Sequence, residues 1–313
     1  FLYIALELCS ANLEDLVEKK GSSLELTNGK LRAELPGGVT ASSSAVKDVS
    51  MVIQNFKHRI IDEELLFKNF QDILYQMTSG LHHLHKLHIV HRDIKPQNIL
   101  VTPSKTRDLR VLISDFGLCK KLEPDQSSFR GTTALGTSGW RAPELLMSEM
   151  NNSKISKMVD VFSLGLVFYY VLSAGQHPFG DRYSRESNIL QNKYDLSGIR
   201  FTNGYKLVGA EAKDLISKML ESNPKKRLTA EEVLKHPFFW SNDKKVEFLL
   251  KVSDKLNIVA RDAPLIHEFE SGSETVFNGS SEWKSQFDEA FFANINTFRK
   301  YDSTKVMDLL IVI

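Results

Sequence analysis

Two acidic side chains, Asp93 and Asp115, sit in short polar motifs that could do chemistry together. The first motif is His91-Arg92-Asp93-Ile94-Lys95-Pro96-Gln97-Asn98, the second is Asp115-Phe116-Gly117, and Ala142-Pro143-Glu144 follows downstream. These residue types combine a carboxylate able to take a proton with a nearby ammonium. Asn98 and Asp115 add hard oxygen donors of the kind Mg²⁺ prefers. Any one of them alone is an ordinary turn residue; their order and spacing make coincidence a poor explanation. His82, His83, His85, His88 and His91 crowd the same stretch, but no acidic or cysteine partner falls at ligand spacing among them, so they read as helix-surface and loop residues.

The elements that must hold these groups are legible in the apolar pattern. Asn98-Ile99-Leu100-Val101 and Leu109-Arg110-Val111-Leu112-Ile113 read as two strands around a polar connection, a hairpin presenting residues at its ends. Leu65, Leu66, Phe70, Ile73, Leu74, Met77, Leu81 and Leu84 recur at three- and four-residue steps, the buried face of a long helix beginning at about Asp62. Val161 to Leu172 is nearly apolar but too short to span a bilayer, so it reads as a core helix. Trp283, Phe287, Phe291, Ile295 and Phe298 mark one amphipathic helix, and Lys305 to Ile313 an apolar helical run. Residues 21–50, rich in Ser, Gly and Ala from Gly21 to Val49, read as a mobile surface insertion. Phe1 to Leu8 reads as a strand without a neighbour, and both chain ends look like truncations.

Composition bounds the function classes. The 313 residues suit about two domains, and 42% hydrophobic with 25% charged residues fits neither disorder nor a rod. With 40 Lys plus Arg against 39 Asp plus Glu, the net charge of +1 lacks the field of a dedicated nucleic-acid binder. Cys9 and Cys119 are far apart, which argues against a disulfide framework or zinc pair and for a reducing compartment.

The motif set resembles the eukaryotic protein kinases. The resemblance implies an α+β, protein-kinase-like fold with a mainly α-helical large lobe, and ATP or ADP with Mg²⁺ as cofactors. Asp93 would then orient and deprotonate the acceptor hydroxyl, Lys95 would face the γ-phosphate, and Asn98 and Asp115 would hold the metal. Lys95 resembles the serine/threonine-directed branch. Glu7 and Cys9 look like the adenine-binding hinge, Asn12 or Asp15 would reach the ribose, and Gln97 would flank the nucleotide. Glu144 and Arg227 resemble a buried ion pair, and Asp160 an acceptor for the catalytic-loop backbone. Arg92 would pair with an activation-loop phosphate, with Ser127 or Ser128 as the phosphosite. The family's Gly-rich loop and strand lysine are not in the sequence, so this chain alone is expected to have weak or no kinase activity.

Ser114-Asp115-Phe116-Gly117-Leu118-Cys119-Lys120-Lys121-Leu122, Gly136-Thr137-Ser138-Gly139-Trp140-Arg141-Ala142-Pro143-Glu144, His177-Pro178-Phe179-Gly180-Asp181 and His236-Pro237-Phe238-Phe239-Trp240 resemble more narrowly the inositol-requiring kinase/endoribonucleases that sense unfolded protein. That likeness implies a kinase domain over 1–240 and a truncated helical kinase-extension nuclease module over 241–313. It also implies trans-autophosphorylation within a homodimer or higher oligomer, at the cytosolic face of the endoplasmic reticulum, anchored by a segment absent here. Tyr301 matches the nuclease tyrosine, but the Arg-Asn pair and His that should follow do not, so RNA is a substrate only for the complete parent protein. The alternative is a nucleotide-binding scaffold that promotes dimerisation without phosphotransfer.

Overall fold

The computed structural model describes residues 9, 11–17, 26–27, 30–31, 63–103, 109–123, 125–130, 135–151, 154–199, 206–277 and 279–312. The strand expected over Phe1 to Leu8, with Glu7, lies outside them, as do Thr132, Thr133, Ile313 and most of residues 21–50. Two compact units divide the chain, Phe1–Phe239 and Trp240–Ile313.

In the first unit, Ala11–Asn12 (β1) leads into a short helix, Leu13–Val17 (α1). The Asn12 side chain accepts from the Asp15 N–H at 3.0 Å and the Asp15 carboxylate from the Asn12 N–H at 3.3 Å, a reciprocal cap. Within the Ser/Gly/Ala-rich stretch, Leu26–Thr27 (β2) and Lys30–Leu31 (β3) pair antiparallel, an element its composition does not announce. The long helix Glu63–Lys86 (α2) buries Ile73, Leu74, Met77 and Leu81, as its periodicity requires. After it, Ile89–Val90 (β4) precedes the catalytic-loop motif.

A 3-10 turn, Pro96–Asn98, opens on the proline whose fixed φ suits a helical first position. Ile99–Pro103 (β5) then pairs antiparallel with Leu109–Ile113 (β6), from Ile99↔Ile113 to Pro103↔Leu109, and β1 closes the other edge of β5. Asn98 thus belongs to the turn and not to the strand. Past a second 3-10 turn, Phe116–Leu118, Lys120–Lys121 (β7) returns to pair with β4. Ser128–Arg130 (β8) pairs with Lys154–Ser156 (β9), and Pro143–Asn151 (α3) lies between them in sequence.

Met158–Leu172 (α4) is the apolar run, buried from Met158 to Val171. It crosses Lys206–Met219 (α6) so closely that a Cβ on Gly165 would stand 2.9 Å from the Met219 Cβ. Arg185–Leu190 (α5) and Ala230–Lys235 (α7) complete the unit, the latter started by a Thr229/Glu232 capping box.

The second unit is helical: Asn242–Asn257 (α8), Pro264–Glu270 (α9), Ser273–Val276 (α10), Glu289–Phe298 (α11) and Val306–Val312 (α12). Leu256, Ile266, Met307 and Leu310 form one small core, and Phe277, Trp283 and Val306 another. The single helix expected over Trp283 to Phe298 is instead a 3-10 turn, Trp283–Gln286, followed by α11. Asp288 breaks it by accepting the Ala290 and Phe291 N–H groups at 2.7 and 3.4 Å, an N-cap that starts a new helix. Among the described residues no helix is long and apolar enough to cross a membrane.

Candidate active site

The Asp93 carboxylate is buried, 6% exposed. Its Oδ2 accepts from Lys95 Nζ at 2.7 Å and Asn98 Nδ2 at 3.0 Å, and its Oδ1 from the Thr137 N–H at 2.9 Å and Oγ1 at 2.7 Å. Burial works to raise its pKa, but the Lys95 and Thr137 hydrogen bonds and the Lys95 charge outweigh it and hold the carboxyl below the usual aspartate range. Lys95 Nζ also donates to Thr137 Oγ1 at 2.7 Å.

Asn98 links this cluster to the second motif. Its Nδ2 donates to the Asp93 carbonyl at 2.9 Å, while its own carbonyl accepts the Ser114 N–H at 2.9 Å and the Ser114 hydroxyl at 3.0 Å. Asp115 is the next residue, exposed, with φ 61° and its carboxylate accepting the Gly117 N–H at 3.3 Å. With Nδ2 turned to Asp93, Asn98 offers its amide oxygen to a cation, and Asp115 offers a carboxylate. Two hard oxygens plus phosphate oxygens fit Mg²⁺. Among the described residues no three His, Cys, Asp or Glu side chains form a metal cluster.

Behind the loop stands Asp160, 1% exposed, at the start of α4. Its two oxygens accept the His91 and Arg92 N–H groups, each at 2.8 Å, and His85 Nε2 lies 3.0 Å from Oδ2. Arg92 has φ 68°, a left-handed conformation costly for a bulky residue; the bonds to a buried carboxylate hold it there. His91 accepts the Asp93 N–H at Nδ1, 3.3 Å, which leaves Nε2 to donate to the Ser114 carbonyl at 3.0 Å. His85 and His91 are therefore buried structural residues, 5% and 0% exposed; this corrects the helix-surface reading of His85, while His91 lies in the loop as expected but with its ring buried. The physical reason is long range: the acid that satisfies His85 lies 75 positions away.

Thr137, which the motifs do not single out, bonds both Asp93 and Lys95. Gly136 before it has φ 108°, and a Cβ there would fall 2.6 Å from the Arg92 carbonyl, so only glycine lets the segment approach the loop. Glu144 and Arg227 form the expected buried pair, with Nη1 to Oε1 at 2.7 Å and Nη2 to Oε2 at 3.0 Å.

The remaining candidates are dispersed. Gln97 is exposed and donates to Glu14 Oε1 at 2.8 Å, away from Asp93. Asn12 and Asp15 face each other across the α1 cap, and Cys9 is partly buried. Arg92 Nε donates to the Leu118 carbonyl at 2.6 Å, and its guanidinium lies over the Phe129 ring, 5.5 Å from the centroid. Ser127 is exposed, and Ser128 is partly buried within β8. In the second unit, Tyr301 is partly buried, its N–H donating to Asn296 Oδ1 at 3.2 Å and its ring 5.4 Å from the Arg299 guanidinium carbon.

Residues 44–239 match the protein kinase domain family and residues 245–313 match the ribonuclease 2-5A family. The chain belongs to the protein kinase family, with a mainly helical kinase-like domain of few strands followed by a helical ribonuclease-type segment, and a kinase domain implies ATP binding. Within that family it is of the IRE1 kinase/endoribonuclease type. It is 40% identical over 343 residues to the serine/threonine-protein kinase/endoribonuclease IRE1 of Hypocrea jecorina, an alignment covering 99% of this chain and 24% of the relative. It is 37% identical to the Schizosaccharomyces pombe sensor for unfolded proteins in the ER, covering 100% of this chain and 27% of that protein. It is also 39% identical to human IRE2, covering 99% and 29%. The chain thus spans under a third of the length of these curated relatives.

Proposed function

We propose that the full-length protein transfers the ATP γ-phosphoryl group to Ser or Thr, first on another copy of itself, in unfolded-protein signalling at the cytosolic face of the endoplasmic reticulum. Residues 1–240 would be the hinge and large lobe, and 241–313 part of the nuclease module. The observation that carries this reading is the continuous bonded path from Asp93 through Asn98 and Ser114 to Asp115. Asp93, its carboxyl held below the usual range, would orient the acceptor hydroxyl and take its proton. Lys95 sets a positive charge beside that carboxylate, suited to a γ-phosphate oxygen. Asn98 and Asp115 would hold Mg²⁺, which when bound neutralises charge on the phosphate oxygens. Asn12, Asp15 and Cys9 would flank the nucleotide, Gln97 acting through Glu14, and Tyr301 marks the nuclease module. The test is phosphotransfer from Mg-ATP by the full-length protein: Asp93→Asn should lose at least about a hundredfold in rate, and an unchanged rate would overturn the assignment.

A further inference from the structure

Thr137 reaches Asp93 from one end of a turn. The Trp140 N–H donates to the Thr137 carbonyl at 3.1 Å, and Gly139, third in the turn, has φ 84°, the left-handed conformation that favours glycine there. From this turn Thr137 donates to Asp93 through its N–H and its hydroxyl, and its hydroxyl oxygen accepts from Lys95. Those three bonds fall on the base and the cation of the proposed transfer, so the place of the turn sets the place of both.

The far side of the turn is fastened residue by residue. The Gly139 carbonyl accepts from His177 Nε2 at 2.9 Å, since His177 Nδ1 is taken by the Phe179 N–H at 3.2 Å, and the Trp140 carbonyl accepts the Ser163 hydroxyl at 2.6 Å. Glu186, in the first turn of α5, holds the rest. Its Oε1 accepts the Gly139 N–H at 3.4 Å and Arg141 Nη2 at 2.5 Å, and its carboxylate also accepts the Ser138 hydroxyl. Burial works to raise the Glu186 pKa, but the Arg141 and Ser138 hydrogen bonds outweigh it and keep the carboxyl below the usual glutamate range. The grip is therefore that of an anion, with the stronger bonds this brings. An acceptor hydroxyl within hydrogen-bond reach of the Asp93 carboxylate lies beside Thr137. Asn98 and Asp115, the metal ligands of the proposed site, are tied instead to Ser114 and Gly117. We propose that Glu186 is a positioning residue for the phosphoryl acceptor: by gripping Ser138, Gly139 and Arg141 it holds Thr137 against Asp93 and Lys95. It acts on the acceptor side of the reaction and not on the nucleotide side.

The inference rests on the kinase reading. Its test uses the full-length protein as catalyst and a full-length Asp93→Asn copy as acceptor, with acceptor and Mg-ATP varied separately. Glu186→Ala should lower kcat/KM for the acceptor about tenfold or more while KM for Mg-ATP stays within about twofold. Glu186→Gln keeps an oxygen for the Gly139 N–H and for Arg141, and should recover to within about threefold of the parent. Amide hydrogen exchange on the same proteins should show Gly139 exchanging about tenfold faster in Glu186→Ala, with the α4 core amides unchanged. Acceptor kcat/KM within about twofold of the parent, or a Mg-ATP KM that rises in step with the acceptor loss, would overturn the positioning role. Faster exchange throughout α4 would do the same, because it marks a general loosening of the unit. A parent that transfers no phosphoryl group overturns the kinase reading, whereas unchanged Gly139 exchange in Glu186→Ala overturns this inference alone.

Discussion

Replacing Asp160 by asparagine probes the scaffold that holds the catalytic loop. Two carboxylate oxygens accept the His91 and Arg92 N–H groups at 2.8 Å, and one also faces His85. Asparagine keeps one acceptor and turns an amide donor toward the other backbone N–H. One buried N–H left unsatisfied costs about 1–3 kcal/mol, and the surviving bonds lose their charge assistance, about 1 kcal/mol more. The expected loss is about 3 kcal/mol, since the site is 1% exposed and water cannot substitute. Asp160→Ala leaves both N–H groups and His85 unpaired, for about 5 kcal/mol. Hydrogen exchange of the α4 core amides reads the opening of this unit directly, and the asparagine variant should exchange roughly a hundredfold faster. An Asp160→Asn protein within about 0.5 kcal/mol of the parent would refute the premise that this carboxylate is what holds Arg92 in its left-handed conformation.

Other perturbations follow from the same geometry. Glu144→Ala strands a buried guanidinium that also bonds the Met158 carbonyl, and should cost about 3–5 kcal/mol in urea unfolding. Burial, helped by the Arg185 charge, lowers the His177 pKa to about 3 against the Gly139 bond that raises it. The unfolded chain therefore takes up a proton below about pH 6.5 that the folded one refuses, so stability is full above that pH and falls by up to about 1.4 kcal/mol per unit toward pH 3. His177→Gln should flatten that limb in urea titrations between pH 7 and 4, and an unchanged slope would count against it. Burial and the Asp160 charge raise the Cys119 thiol to about 11 despite Arg92, so its alkylation rate by iodoacetamide, followed by mass spectrometry, should still be climbing at pH 10. A plateau near pH 9 would contradict this.

Much of the site was legible because its chemistry is local. Asp93, Lys95 and Asn98 fall within one loop, and the flanking apolar periodicity of α2 and the strands β5 and β6 indicates what presents them. Asp160 and the Glu144–Arg227 pair were visible only through likeness to a family, since their partners are distant in sequence. Thr137 carried no local signal: a threonine among several hydroxyls looks like any loop residue, and only the tertiary approach over Gly136 brings it onto Asp93. His85 misled because histidine at a helix end is usually solvated, and its ring is here satisfied by the distant Asp160. The break before α11 was readable in principle, because Asp288 followed by Glu289 is an N-cap signal; aromatic spacing outweighed it. Gln97 turning to Glu14 had no sequence signature.

The central claim is that Asp93 and Asp115 serve one site in different roles, proton acceptor and metal ligand. Electron paramagnetic resonance of Mn²⁺ bound with ADP to the full-length protein separates those roles without requiring turnover. Asp115→Asn should weaken Mn²⁺ binding by at least about tenfold, while Asp93→Asn should leave it within about threefold. Equal Mn²⁺ affinity in the parent and in Asp115→Asn would contradict the account.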